Sequence, residues 1–280
     1  MMKKRLTTIV LLCMILFAGV YYFYEPLSIV TFKLKGFNSV VTPRFILLFK
    51  PESIDCIPAV VSAAEKTYDI VGKDFGFYPK NKIPIVVFPD RLSLQSAFNW
   101  PRDENAQGVY YRGIIYVQSP GAWIENTQDI ERVFFEKGPM VHEYTHLVVD
   151  ALTAGNHTRW FTEGVAQYEE RRVTGYTLDE DFDIDRDFTY AYEDIMHSFD
   201  NLPDVPSAYL SALEMTDLLV GNDGIHELKS IMELLKNGHS ANGIFLHKAS
   251  QFKAEGKSRL VTNIVTNGGV IFEREDFSGG

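Results

Sequence analysis

Cysteine is almost missing from this sequence: Cys13 and Cys56 are the two in 280 residues. Cys13 lies inside an apolar run, so no disulfide staples the folded domain, which must hold together by its core. Cys13 also lacks the small residue before it that a lipoprotein site needs, since Leu12 stands there. Basic residues are outnumbered, 27 Lys and Arg against 37 Asp and Glu, for a net charge of -10. With no basic cluster beyond the first few residues, the chain lacks the surface that phosphate binding requires, which excludes a nucleic-acid partner. Internal repeats and long linkers are missing too.

Hydrophobic residues make up 46% and aromatics 13% of the chain, enough for one sizeable core or two lobes, and disorder is excluded. Lys3, Lys4 and Arg5 precede an uncharged apolar run at residues 6–22, closed by Tyr21, Tyr22, Phe23 and Tyr24. This is a membrane-directing segment at residues 1–27, either an anchor or a signal peptide. No Ala-x-Ala cleavage pattern follows it, which favours a single-pass anchor over a secreted product. The flanking tyrosines extend a run slightly short of a full span, and the leading positive charges place residues beyond about 26 on the extracytoplasmic side of the cell membrane.

Residues 44–50 read as a buried strand and 53–74 as a helix, with Ala59, Ala63 and Tyr68 as core candidates. A second strand at 82–89 carries two prolines, which suit a sheet edge or strand ends. A short helix at 92–98 follows. Residues 108–111 and 114–117 flank Arg112-Gly113, a two-residue hairpin signal. From Ile130 the apolar spacing becomes helical. Pro139 introduces a helix to about Leu152, ended by Ala154-Gly155-Asn156, and a second helix covers 160–171. The acidic stretch 177–204 reads as irregular, and its run 179–185 lacks the glycine and closing glutamate of a calcium loop. Helices at 208–220 and 224–235 and a hairpin at 258–275 complete the pattern. It is α+β: a sheet lobe over about 37–137 and a helical lobe over about 138–257, within a domain of 37–275.

The segment His142-Glu143-Tyr144-Thr145-His146 puts two imidazoles four residues apart on a helix, so both leave one face at adjacent turns. That geometry suits two ligands of one Zn2+ ion. Glu143, one residue after the first imidazole, is placed to accept a proton from the metal's water without binding the metal. Zinc lowers the pKa of that water toward roughly 7. A catalytic site needs a third protein ligand, and Trp160-Phe161-Thr162-Glu163-Gly164 supplies a carboxylate on the next helix, while Gly164 removes a side chain where helices approach closely.

With these residues the sequence resembles the gluzincin metallopeptidases, the thermolysin and aminopeptidase N superfamily and its smaller bacterial peptidase-like domains. His-Glu-Tyr-Thr-His and the later Trp-Phe-Thr-Glu-Gly-Val-Ala-Gln-Tyr match that family's two motifs, and the sheet-then-helices order is similar. The resemblance implies a thermolysin-like fold with zinc in the cleft, His142, His146 and Glu163 as metal ligands, and Glu143 as general base. It implies hydrolysis of a peptide or protein substrate, by an endopeptidase. The Gly-x-Met-Glu-Asn element that holds a free amine in aminopeptidases is missing, and sixteen residues separate His146 from Glu163, a little fewer than in the best-known members. An amidase acting on cell-wall peptide and a non-catalytic membrane-anchored scaffold are the alternatives.

The family's use of a later Tyr or His as oxyanion donor points to Tyr209, with Tyr190, Tyr192 and His197 behind it. Asp150, four after His146, and Gln167, four after Glu163, are candidates to fix a histidine tautomer. Residues 114–117, taken as an edge strand, would pair with an extended peptide. His157, His226, His239 and His247 are left as surface or core residues.

Overall fold

The structure, a computed structural model, describes residues 24–101, 105–178 and 190–254. The apolar run at 6–22, the acidic run at 179–185 and the hairpin expected at 258–275 lie outside them. Among the described residues no helix is long and apolar enough to cross a membrane. The architecture is α+β and divides into two compact units, Met1–Val148 with Arg172–Tyr176, and Val149–Arg171 with Thr177–Gly280.

The first unit holds a mixed five-stranded sheet of order β1-β2-β3-β5-β4. Its strands are β1 (Asn38–Val41), β2 (Phe45–Phe49), β3 (Ile83–Phe88), β4 (Gly108–Tyr111) and β5 (Ile114–Gln118). β2, β3 and β5 run parallel, while β1 and β4 pair antiparallel on the outside. Their sequences follow from position: β3 and β5 are buried at every residue, as strands covered on both faces must be.

One expectation is resolved here and another corrected. β3 is central, and its prolines suit strand ends: the ladder to β5 starts at Ile85, one residue beyond Pro84, and Pro89 follows the last strand residue. Residues 114–117 are interior, because the hairpin folds β4 back outside β5 and makes β4 the edge strand on that side. The turn itself forms as the sequence indicates, with Arg112 (φ 49°) and Gly113 (φ 83°) both left-handed, the conformation a tight two-residue hairpin needs.

Helix α1 (Tyr24–Leu34), β1 and the 3-10 turn Pro51–Cys56 precede or flank the stretches that the sequence pattern marks out. α1 has a packing reason to form: Phe32 meets Phe37, Phe88 and Tyr116 at 5.0–6.3 Å between ring centroids, capping one face of the sheet. Helix α2 (Ile57–Phe75) buries Ala59, Val60, Ala63 and Ala64, and Gly76 (φ 67°) ends it. Tyr68 is half-buried, its ring 6.1 Å from Phe45 and 6.0 Å from Tyr144. Helices α3 (Arg91–Phe98) and α4 (Ile130–Lys137) complete the unit with the start of α5 (Met140–Thr153).

The second unit is helical: the end of α5, most of α6 (Arg159–Thr174), then α7 (Tyr192–Ser198), α8 (Val205–Val220), α9 (Ile225–Lys236) and α10 (Ala241–Ala254). α8 is the hub, packed by α7, α9 and α10. The irregular stretch expected at 177–204 in fact contains α7, whose buried Tyr192, Ile195 and Met196 keep helical spacing beneath the acidic residues between them. α10 was not foreseen. Phe245 on it packs against Trp160 and Tyr192 at 5.8 and 5.0 Å.

Candidate metal centre

The approach to α5 is a tight break. A Cβ on Gly138 would lie 2.3 Å from the Phe134 carbonyl oxygen, so only glycine closes α4 there, and the Pro139 carbonyl accepts the Glu143 N–H at 2.9 Å to open the next helix. Val141, Tyr144 and Val148 turn inward. Their inward face fixes the roll of α5 and sets His142 and His146 one turn apart on another face, with ring centroids 4.8 Å apart and planes at 80°. Ala154 (φ 54°) and Gly155 (φ 77°) reverse the chain, and Asn156 anchors the turn by donating to the Leu235 and His239 carbonyls.

Glu163 follows one turn into α6. His142, His146 and Glu163 each offer a ligand atom, and these atoms all lie within 4.8 Å of one another. All three sit on the continuous segment α5–turn–α6. His146 and Glu163 are buried, at 8% and 2% exposure. Two imidazoles and one carboxylate form a donor set matched to zinc, with room in a tetrahedral site for one further ligand. The three residues therefore fit the ion.

Glu143 is not in that group and faces strand β4 instead. Its Oε2 accepts the backbone N–H of Tyr110 at 2.6 Å. β4 comes this close because Gly108 has no side chain: a Cβ there would be 2.7 Å from Pro139 Cβ and 3.0 Å from Glu143 Cγ.

Around Glu163 the structure adds a residue that the sequence did not single out. Arg159, one turn earlier on α6, reaches Glu163 Oε1 through Nη2 at 2.8 Å, and the same nitrogen donates to the Tyr209 hydroxyl at 3.2 Å. Its Nε lies 3.7 Å from Asp200 Oδ1. Partial burial disfavours the Arg159 charge, but the Glu163 carboxylate, then Tyr209 and Asp200, outweigh it and push its pKa up. The i, i+4 spacing of Arg159 and Glu163 was the available signal.

Tyr209 thus joins the surroundings of Glu163. The other candidate donors have different employment: the Tyr190 hydroxyl accepts from the Asp204 N–H at 3.0 Å, Tyr192 packs against Phe245, and His197 is exposed at the end of α7. Asp150 Oδ1 stands 3.7 Å from His157 Nε2. Gln167 Nε2 donates to the Glu163 and Tyr209 carbonyls at 3.3 and 2.8 Å. Gly164 does stand at a close helix approach, but against α8 rather than the helix of the His pair: a Cβ would come within 2.2 Å of Thr216 Oγ1 and 2.4 Å of the Ala212 carbonyl oxygen.

No protein-family model and no curated protein matches this sequence.

Proposed function

We propose that this chain is a zinc-dependent peptidase of the gluzincin type, thermolysin-like in fold, with His142, His146 and Glu163 holding the metal. The observation that carries the reading is the convergence of exactly the donor types a catalytic zinc uses within 4.8 Å, beside a carboxylate that is not itself a ligand. Bound there, zinc supplies Lewis acidity that polarises a scissile carbonyl and lowers the pKa of water at its open position.

The chain's own residues do the rest. Glu143, held by the Tyr110 N–H through one oxygen, takes the proton from the attacking water and returns one to the leaving amine. Tyr209 is assigned to hydrogen-bond the oxyanion. The apolar segment at 6–22 anchors the chain, with the peptidase domain on the extracytoplasmic side facing peptide or protein substrates.

The test is zinc analysis of the full-length protein in detergent, together with digests of an unfolded protein and of peptidoglycan. One zinc per chain and cleavage of the unfolded protein are expected. Cleavage confined to peptidoglycan would move the assignment to a cell-wall amidase, and a zinc-loaded protein that cleaves neither would make it a scaffold. Protein that neither carries nor takes up zinc would overturn the metal assignment.

A further inference from the structure

Glu163 and Tyr209 stand on different helices, 46 positions apart, and two separate devices tie them together. Between the side chains, Arg159 Nη2 contacts Glu163 Oε1 at 2.8 Å and donates to the Tyr209 hydroxyl oxygen at 3.2 Å. Between the backbones, Gln167 Nε2 donates to both carbonyls, at 3.3 and 2.8 Å. Gly164 lets α6 and α8 approach closely enough for both bridges to form.

Each bridge has a chemical direction. Arginine carries no acceptor, so a hydroxyl that accepts from it must donate its own hydrogen elsewhere. The guanidinium on Oε1 likewise fixes the direction in which the Glu163 carboxylate lies. Gln167 is 6% exposed, and its Oε1 has no hydrogen-bond partner among the described residues. A buried amide with an unsatisfied oxygen is costly, and here the offsetting contribution is the pair of carbonyls its nitrogen joins.

We propose that Arg159 is a positioning residue that orients both the Glu163 carboxylate as a metal ligand and the Tyr209 hydroxyl as an oxyanion donor, with Gln167 holding the two backbones in register. This rests on the zinc-peptidase reading and deepens it: metal affinity and oxyanion stabilisation depend on one side chain that contacts neither metal nor substrate. Partners of metal-ligating side chains typically change metal affinity by roughly 10–100-fold when removed.

The experiment compares Arg159→Met, Arg159→Lys, Tyr209→Phe and the Arg159→Met/Tyr209→Phe double variant with the full-length parent. Zinc affinity is measured by competition with a chromogenic chelator, and kcat and KM with a peptide substrate. Arg159→Met is expected to weaken zinc binding by about 10-fold or more, and to lower kcat about as far as Tyr209→Phe with KM little changed. Arg159→Lys, a point charge without the planar fork, should recover zinc affinity better than kcat. The double variant should be no slower than Tyr209→Phe at saturating zinc, because both changes remove one interaction.

Zinc binding in Arg159→Met that is unchanged or tighter overturns the inference, as do multiplicative losses of kcat in the double variant. A purely structural role would lower the melting temperature and leave zinc affinity per folded chain alone. A parent that takes up no zinc overturns the metal reading itself, whereas a zinc-binding parent with an indifferent Arg159→Met overturns only this proposal.

Discussion

The backbone N–H of Tyr110, on the outermost strand of the sheet, donates to the carboxylate of Glu143 on the helix that carries both histidines. The bond, at 2.6 Å, fixes the direction in which the carboxylate points, which is what the base proposed for this position needs.

Gly108→Ala tests how closely β4 must approach. The added methyl would meet the stiff Pro139 ring at 2.7 Å and the Glu143 stem at 3.0 Å. Overpacking of this kind costs about 1–3 kcal/mol. A lower urea midpoint is expected, with a loss of hydrolysis larger than the unfolded fraction explains, since the Tyr110 bond shifts with the strand. Parental values for both would show that the strand adjusts freely.

Glu143→Gln and Glu163→Gln should separate base from ligand. The amide at 143 keeps the shape and can still accept from Tyr110, so zinc content should match the parent while hydrolysis falls by roughly two to four orders of magnitude. At 163 the change removes an anionic ligand and the partner of Arg159, so zinc content itself should fall. If Glu143→Gln loses its zinc, the division of roles is wrong.

In the second unit, Asn242→Ala should destabilise by about 1–3 kcal/mol, because it strands the fully buried Trp160 indole N–H that donates to Asn242 Oδ1 at 2.8 Å. Gly164→Ala should cost at least as much, since the clash includes the Ala212 backbone, which cannot rotate away. Denaturant titration reads both. A neutral Asn242→Ala would mean that the indole finds another acceptor.

Stability should also depend on pH at two residues in opposite regimes. Burial, then the nearby Glu214, pushes the Tyr192 hydroxyl up to about 12. The unfolded chain releases that proton near pH 10, so stability present below pH 10 is lost as pH rises toward 12, and Tyr192→Phe should flatten this fall. Burial, then Asp217, raises the Glu214 carboxyl above its ordinary value. Its contribution is present below that ordinary value and lost as pH rises, so Glu214→Gln should be the more stable protein at pH 7 and lose that advantage in acid. Urea midpoints across pH check both, and a Glu214→Gln variant weaker than the parent at pH 7 would reverse the second sign.

What the sequence made legible were features encoded by neighbours along the chain. The Arg112-Gly113 turn, the stop at Ala154-Gly155 and the two helices of the candidate metal centre all rest on local geometry and spacing, and so did the choice of His142, His146 and Glu163 as a group. What escaped it depends on contacts distant in sequence. That β5 lies inside the sheet follows from which way the hairpin folds, and α1 forms because Phe32 finds Phe37, Phe88 and Tyr116. α10 lacks a clear apolar stripe, and Arg159 acquires meaning only when Tyr209 arrives from another helix. α7 was hidden by its acidic neighbours, although its apolar spacing was there to be counted.

The three tryptophans fall unevenly between the two units. Trp100 and Trp123 belong to the first, and Trp160, with no solvent exposure, is alone in the second. Replacing the first two by phenylalanine would leave a chain whose intrinsic fluorescence comes from the helical unit alone, while Trp160→Phe would leave the emission to the sheet. Two optical signals then follow the melting of the two units separately, and whether they coincide tells whether the protein unfolds in one step or two.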